Sequence, residues 1–310
     1  MNATVMKSTG SWYSVLTEEG QRVECRIKGK FRMNGIRSTN PIAVGDKVEI
    51  ELDNGEATAS ITTILPRHNY IIRRSINLSK QTHIIAANID RAYLVVTLAS
   101  PRTSLGFMDR FLLTAEAYHI PVDIIFNKAD LYSDEGTNLV AELICLYEKL
   151  GYPCTLLSAL NPGPELETLR ERMKGKVNLF SGHSGVGKST LINMLDPALG
   201  LRIGELSEAH DKGMHTTTFA EMFELCMGGF VVDTPGIKEL GLVAIERAEL
   251  SHCFPEMRLL LNQCRFNNCL HLQEPSCAVR LAVEQGEIAE SRYNSYIGIM
   301  SGDELEKEYE

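Results

Sequence analysis

Two periodicities divide the chain. Residues 22–28, Arg-Val-Glu-Cys-Arg-Ile-Lys, alternate charged and apolar side chains, and residues 46–52, Asp-Lys-Val-Glu-Ile-Glu-Leu, do the same. A period of two gives one buried and one wet face, which predicts strands. Further strands are expected at 11–16, before a turn at Glu18-Glu19-Gly20, and at 57–65, after the hairpin turn Asn54-Gly55. Four or five strands in so short a span predict an N-terminal β-barrel of the oligonucleotide-binding (OB) type over residues 1–75. From Ile84 onward the pattern changes. Apolar runs at 92–97, 122–126 and 154–157 alternate with helical spacing at 108–118 and 140–150. Such alternation predicts a parallel sheet with helices on both faces. A helix at 165–173, a strand at 177–180, a helix at 191–195 and strands at 218–226 and 230–232 about Gly228-Gly229 extend it to residue 242. The remaining stretch, 243–310, shows helical spacing at 278–285 and 289–299. The fold expected is therefore multidomain α/β, divided as 1–75, 76–242 and 243–310.

The strand at 177–180 runs into Gly182-His183-Ser184-Gly185-Val186-Gly187-Lys188-Ser189-Thr190, a G-x-x-x-x-G-K-S sequence flanked by strand and helix. Glycines let the backbone wrap an anion with its N–H groups pointing inward, and the following helix adds its N-terminal dipole. Lys188 would reach the β/γ-phosphates and the Ser189 hydroxyl would bind Mg²⁺. This predicts a nucleoside-triphosphate site.

The strand at 122–126 ends in Asn127-Lys128-Ala129-Asp130. Guanine presents an N1–H and a 2-amino group side by side, and one carboxylate can accept from both. An aspartate here selects guanine over adenine, because the wrong base leaves its charge unpaired. Asn127 is expected to bond in the same region, with the Lys128 stem over the base. Ser158 and Ala159, after the next strand, fit a second base-contacting loop. Asp233-Thr234-Pro235-Gly236 follows the last strand, where Asp233 would hold Mg²⁺ through a water and the Gly236 N–H would meet the γ-phosphate. Gly213-Met214-His215-Thr216-Thr217-Thr218 precedes that hairpin. A threonine there would complete the Mg²⁺ shell; spacing leaves Thr216 and Thr217 both open, with Thr217 preferred. The residue after Gly236 is Ile237, which cannot orient water. His215 is the nearest titratable alternative, and it stands equally as a catalytic or a merely structural histidine.

Charge adjusts this picture. The chain of 310 residues has a net charge of −9, but residues 1–80 hold 12 Lys/Arg against 8 Asp/Glu, so the excess of acid lies beyond them. Arg22, Arg26, Lys28, Lys30, Arg32 and Arg37 gather on one strand and its loop. A solvated sheet face and an RNA contact fit them equally well. No apolar run is long enough to span a bilayer, and no export signal opens the sequence, so a cytoplasmic, membrane-free, monomeric protein with reduced thiols is expected. Of its 8 cysteines, Cys264, Cys269 and Cys277 lie with His271 in a C-x4-C-x-H-x5-C spacing suited to one structural zinc ion. Cys253 is left aside, and Cys25, Cys145, Cys154 and Cys226 are expected in the core.

The base loop at 127–130 precedes the phosphate loop, the reverse of the usual order in G proteins. With that order, the motifs above and the cysteine cluster, nearly the whole chain resembles the circularly permuted GTPases. The resemblance implies a permuted P-loop GTPase domain and a helical zinc-binding domain with zinc on Cys264, Cys269, His271 and Cys277. It also implies hydrolysis of GTP during late maturation of the 30S ribosomal subunit, stimulated by that subunit and involving its rRNA. A nucleotide-gated RNA-binding module with slow resetting hydrolysis is the rival reading. The family usually carries a basic residue before the histidine, where this chain has Met214.

Overall fold

The computed structural model describes residues 1–27, 41–52, 58–74, 82–201, 220–233 and 245–302. Strands β1 (Asn2–Ser8), β2 (Tyr13–Thr17), β3 (Arg22–Ile27), β4 (Lys47–Leu52) and β5 (Thr58–Ile64) form the expected barrel. Its order is β1-β2-β3-β5-β4, closed by pairing of β4 with β1. Among the described residues of the barrel, only the β3–β5 contact is parallel. Val5, Tyr13, Val15, Cys25, Val48, Ile50 and Ile61 fill it. Strand β1 is absent from the sequence expectation, because Ala3, Thr4, Val5 and Met6 are all buried and show no alternation. Its two faces meet different cores: Val5 points into the barrel, whereas Met6 packs with Ile71, Ala86 and Ile89 against the following domain.

A hairpin of β6 (Tyr70–Arg74) and β7 (Thr82–Ala87) links barrel and sheet. Gly45 of the barrel presses onto it: a Cβ there would lie 2.1 Å from the Ala87 carbonyl oxygen. The second domain comprises β8 (Arg91–Val96), α1 (Leu105–Ala117), β9 (Val122–Phe126), α2 (Asp134–Lys149), β10 (Cys154–Leu156), α3 (Glu165–Met173), β11 (Val177–Ser181), α4 (Lys188–Leu195), β12 (Glu221–Glu224) and β13 (Phe230–Asp233). The sheet order is β10-β9-β8-β11-β13-β12, parallel except for the β12–β13 hairpin. Helix α2 starts a turn and a half before its apolar spacing does. Its first turn is polar, held by the Ser133 side chain accepting from the Gly136 N–H at 3.2 Å. β12 pairs in turn with β1 at Lys7 and Glu221, so one hydrogen-bonded sheet runs from β10 into the barrel.

The third unit contains α5 (Pro255–Arg258), α6 (Ala278–Glu284) and α7 (Glu290–Ser301). Leu250, Phe254, Met257, Val279, Tyr296 and Met300 make its core, and Leu113 of α1 enters from the neighbouring domain. Two of the cysteines assigned to the core lie elsewhere. Cys25 is buried and Cys154 half-buried, but Cys145 and Cys226 are exposed. Cys145 falls on the outward face of α2, and Cys226 lies just past β12, where its N–H donates to Asp196 Oδ2 at 2.6 Å.

Candidate functional site

The parallel strands β8, β9, β10, β11 and β13 all end at one edge of the sheet, where α/β folds bind ligands. From β11 the chain enters the glycine loop. Gly182, Gly185 and Gly187 take φ values of 144°, 81° and 95°, the left-handed side that favours glycine. A Cβ on Gly182 would meet the Val95 carbonyl oxygen at 2.1 Å, and one on Gly187 would meet Asn127 Nδ2 at 2.4 Å. Helix α4 then opens at Lys188, with Gly187 as its cap. Lys188 Nζ donates to the carbonyls of Gly182 and His183 at 2.7 and 2.8 Å, which sets the ammonium at the mouth of the loop. Ser189, the candidate Mg²⁺ ligand, is buried at the start of α4. The His183 ring lies against Phe107 of α1, with centroids 3.9 Å apart.

Asn127 is buried and engaged within the protein at both polar ends. Its Nδ2 donates to the Val186 carbonyl at 2.8 Å, and its Oδ1 accepts from the Ala159 N–H at 3.0 Å. One side chain thus joins the phosphate loop, the Asn-Lys-Ala-Asp loop and the Ser158-Ala159 loop. Asp130 is exposed beyond it and accepts from the Ser158 hydroxyl. That hydroxyl also accepts from the N–H groups of Leu160 and Asn161 at 3.3 and 3.2 Å, which folds the second loop into a turn. Lys128 has φ 61°, and its ammonium donates to the Ser100 carbonyl. Tyr132 donates to the Asn127 carbonyl and accepts from the Leu98 N–H. Burial raises the pKa of its hydroxyl, so it remains a donor.

Residues 97–104 form a further wall that the motif reading missed. Thr97 and Thr103 close this loop: the Thr103 N–H donates to the Thr97 carbonyl at 2.8 Å, and the Thr97 N–H donates to Thr103 Oγ1 at 3.2 Å. Thr97 Oγ1 donates to the Pro101 carbonyl. Pro101 covers the glycine loop, its Cδ 3.5 Å from where a Gly185 Cβ would be. Residues 97–104, Thr-Leu-Ala-Ser-Pro-Arg-Thr-Ser, carry no recognisable motif, so only the fold could find them. Of the other expected site residues, Asp233 ends β13 at the same edge, whereas His215, Thr216, Thr217, Gly236 and Ile237 lie outside the described residues. So do Lys28, Lys30, Arg32 and Arg37; Arg26, which is described, lies over the exposed Trp12 ring at 4.8 Å.

In the third unit the ligand atoms of Cys264, Cys269, His271 and Cys277 all lie within 4.8 Å of one another. His271 Nδ1 is 3.6 Å from Cys264 Sγ and 3.4 Å from Cys277 Sγ. A tetrahedron of sulfurs at the usual Zn–S distance has edges of about 3.8 Å, so the donor set fits zinc. Burial lowers the His271 pKa and keeps the ring neutral, with a lone pair to give. Burial also pushes the Cys269 and Cys277 thiols up, so their ionised forms need a cation between them. The loop is braced by Glu274, whose Oε1 accepts from the Leu270 N–H at 2.8 Å and whose Oε2 accepts from Leu272 and Gln273 at 2.8 and 3.1 Å. Tyr293 and Tyr296 of α7 donate to the carbonyls of His271 and Leu270 at 2.6 and 2.8 Å.

Comparisons with known proteins agree with this geometry. Residues 64–243 match the family model RsgA GTPase, and residues 2–59 match the RsgA N-terminal domain. The chain is 56% identical over 304 residues to the small ribosomal subunit biogenesis GTPase RsgA of Bacteroides fragilis, covering 98% of this chain and 97% of that one. It is 53% identical over 306 residues to the RsgA of Christiangramia forsetii, with coverage of 98% and 97%. Among solved structures it superposes on YjeQ from Thermotoga maritima with a TM-score of 0.79 and 36% identity, covering 97% of each chain. YloQ, described as a circularly permuted GTPase, gives a TM-score of 0.75 at 31% identity, covering 97% of this chain and 94% of that one.

Proposed function

Because the chain belongs to the RsgA GTPase family and is a GTP hydrolase with a circularly permuted GTPase fold, we propose that it acts in small ribosomal subunit biogenesis, as its relatives are named to do. In this reading it converts GTP to GDP and phosphate, is stimulated by the 30S subunit it serves, contacts the rRNA of that subunit, and works as a cytoplasmic monomer. Among the described residues no helix is long and apolar enough to cross a membrane. The division into units near residues 75 and 242 belongs to the same proposal. The observation that carries it is Asn127, whose one side chain bonds both the phosphate loop and the second base loop.

The roles we assign rest on the sequence motifs, together with position for those residues that the structure describes. Asp130, with Ser158 and Ala159, reads the guanine edge, and the Lys128 stem lies over the base. The N–H groups of residues 182–190 receive the phosphates. Lys188 neutralises charge that grows on the β/γ-oxygens in the transition state, where a preorganised cation counts most. Ser189, Thr217 and, through a water, Asp233 would hold the Mg²⁺ supplied with GTP, which would draw charge from the phosphates; Gly236 would meet the γ-phosphate and His215 would orient the attacking water. Cys264, Cys269, His271 and Cys277 would hold zinc in a structural role, since four protein ligands would leave no open position for a substrate.

Turnover of GTP measured with and without purified small and large subunits tests the reading. Acceleration by the small subunit alone is expected. GTP-dependent binding to the subunit with no change in turnover would favour the gated RNA-binding module instead. His215→Ala should lower turnover with GTP affinity nearly intact, since water positioning acts in the transition state. Wild-type turnover in the subunit-stimulated variant removes His215 from the mechanism.

A further inference from the structure

We infer that the loop of residues 97–104 is a positioning element for the base site: closed by Thr97 and Thr103, it presents the Ser100 carbonyl that anchors the Lys128 ammonium, and so fixes the Lys128 stem where a purine stacks. The inference rests on the base-site reading above and deepens it.

A lysine stem has four rotatable bonds, and stacking on a base demands one extended arrangement of them. Holding the far end is the cheapest way to obtain it, because the ordering cost is met before the nucleotide arrives. Here the near end is fixed by backbone at φ 61° and the far end by the bond from Nζ to the Ser100 carbonyl. That carbonyl is itself fixed. The Thr97 N–H to Thr103 Oγ1 bond, the Thr103 N–H to Thr97 carbonyl bond and the Thr97 hydroxyl to Pro101 carbonyl bond close the loop on either side of it. Thr103 is buried, and its hydrogen bonds given among the described residues run to Thr97. It acts through Ser100 and Lys128. The same loop is tied to the base-reading segment a second time, through the Leu98 N–H and Tyr132, and Pro101 rests over Gly185 of the phosphate loop. Phosphate loop and base loop are thereby spanned by a segment that belongs to neither.

The experiment is a double-mutant cycle in the full chain, read as affinity for GTP and for GDP and as kcat and KM. Thr103→Val is nearly isosteric but leaves the Thr97 N–H without its acceptor. It should weaken both nucleotides about fivefold, the size of one net hydrogen bond, and raise KM rather than lower kcat. GDP must suffer equally, because the base is common to both. Thr103→Ser keeps the hydroxyl and should restore wild-type affinity. Placed in a Lys128→Met background, Thr103→Val should cost nothing further, since the residue it positions is gone. A fivefold loss that persists in that background overturns the inference, as does a folded Thr103→Val chain with wild-type affinity. Should Thr103→Val not fold, Thr97→Val removes the other hydroxyl of the loop and meets the same two criteria. If Lys128→Met alone leaves GTP affinity unchanged, the base-site reading itself falls; if it weakens binding and Thr103→Val does not, only the loop assignment falls.

Discussion

Arg292 of α7 and Asp109 of α1 are 183 residues apart in sequence and form a buried ion pair, Nη1 to Oδ1 at 2.6 Å. The same guanidinium donates through Nε to Glu256 Oε1 at 2.7 Å and lies 4.6 Å over the Phe254 ring. Tyr147 adds a bond from its hydroxyl to Asp109 Oδ1 at 2.9 Å. A charge this deep is tolerable only with its partners in place. Arg292→Ala strands two carboxylates, and should cost about 3–5 kcal/mol in denaturant unfolding. Arg292→Met with Asp109→Asn and Glu256→Gln should recover much of that loss; if the triple variant is no more stable than Arg292→Ala, the ion pairing is not the cause.

Gly187→Ala should disable nucleotide binding while the fold survives. The new methyl would meet Asn127 Nδ2 at 2.4 Å in a backbone with φ 95°. Asn127 would have to release Val186 or Ala159, separating the phosphate loop from the base loop. A loss of more than about tenfold in GTP affinity with a native far-UV circular dichroism spectrum is expected. Asn127→Ala should behave alike.

Asp130→Asn exchanges an acceptor for a donor and should trade GTP for xanthosine triphosphate, whose ring carbonyl the new amide can meet. Competition binding measures this directly. Unchanged preference for GTP would place base reading elsewhere.

Removal of zinc should loosen the third unit. Chelation, or Cys264→Ser, should raise hydrogen exchange across residues 245–302 and release the α7 tyrosines from the Leu270 and His271 carbonyls. Metal analysis should find about one zinc per chain for a closed four-ligand site. Exchange identical with and without chelator would show that the helices stand without the ion.

Thiol chemistry should follow burial. Cys253 is pushed up to about 11, first by burial and then by the Glu116 charge, and Cys154 to about 12, first by burial and then by Glu148. Both should resist iodoacetamide at pH 8, whereas exposed Cys145 should be labelled. A thiol whose folded pKa lies above its unfolded value lends stability that is complete below the unfolded pKa. That stability fades as pH rises through the folded one. Stability should therefore fall above about pH 9, and Cys154→Ala should flatten the decline in a denaturant series.

What the sequence made legible was whatever a local pattern carries. Alternation exposed β3 and β4, turn residues marked β2 and β5, and glycine spacing exposed the phosphate loop. The Cys-His spacing marked the four residues that the fold gathers within 4.8 Å. β1 escaped because burial on both faces erases alternation. Asn127 was expected to help at the base, and its link to Val186 depends on two loops 59 residues apart. Residues 97–104 and the Arg292 network carry no signature, since their meaning arises only once distant strands and helices meet. Cys145 and Cys226 show the converse: a cysteine within an apolar pattern can still face water.

The rung that joins β12 to β1 among the described residues, Lys7 opposite Glu221, also bears on how the molecule avoids its own kind. Among the described residues, β12 would otherwise end the GTPase sheet as a bare strand, with unpaired N–H and C=O groups ready to template another chain. The barrel occupies that border, and the Lys7–Glu221 ion pair at 2.8 Å marks the seam with charge. Met6, Val44 and Ile71 at the same seam belong to the GTPase core. Cutting away residues 1–75 would therefore do more than remove a basic module. It would uncover a sheet border beside an opened apolar core, and the fragment should self-associate, in a concentration-dependent way visible by light scattering.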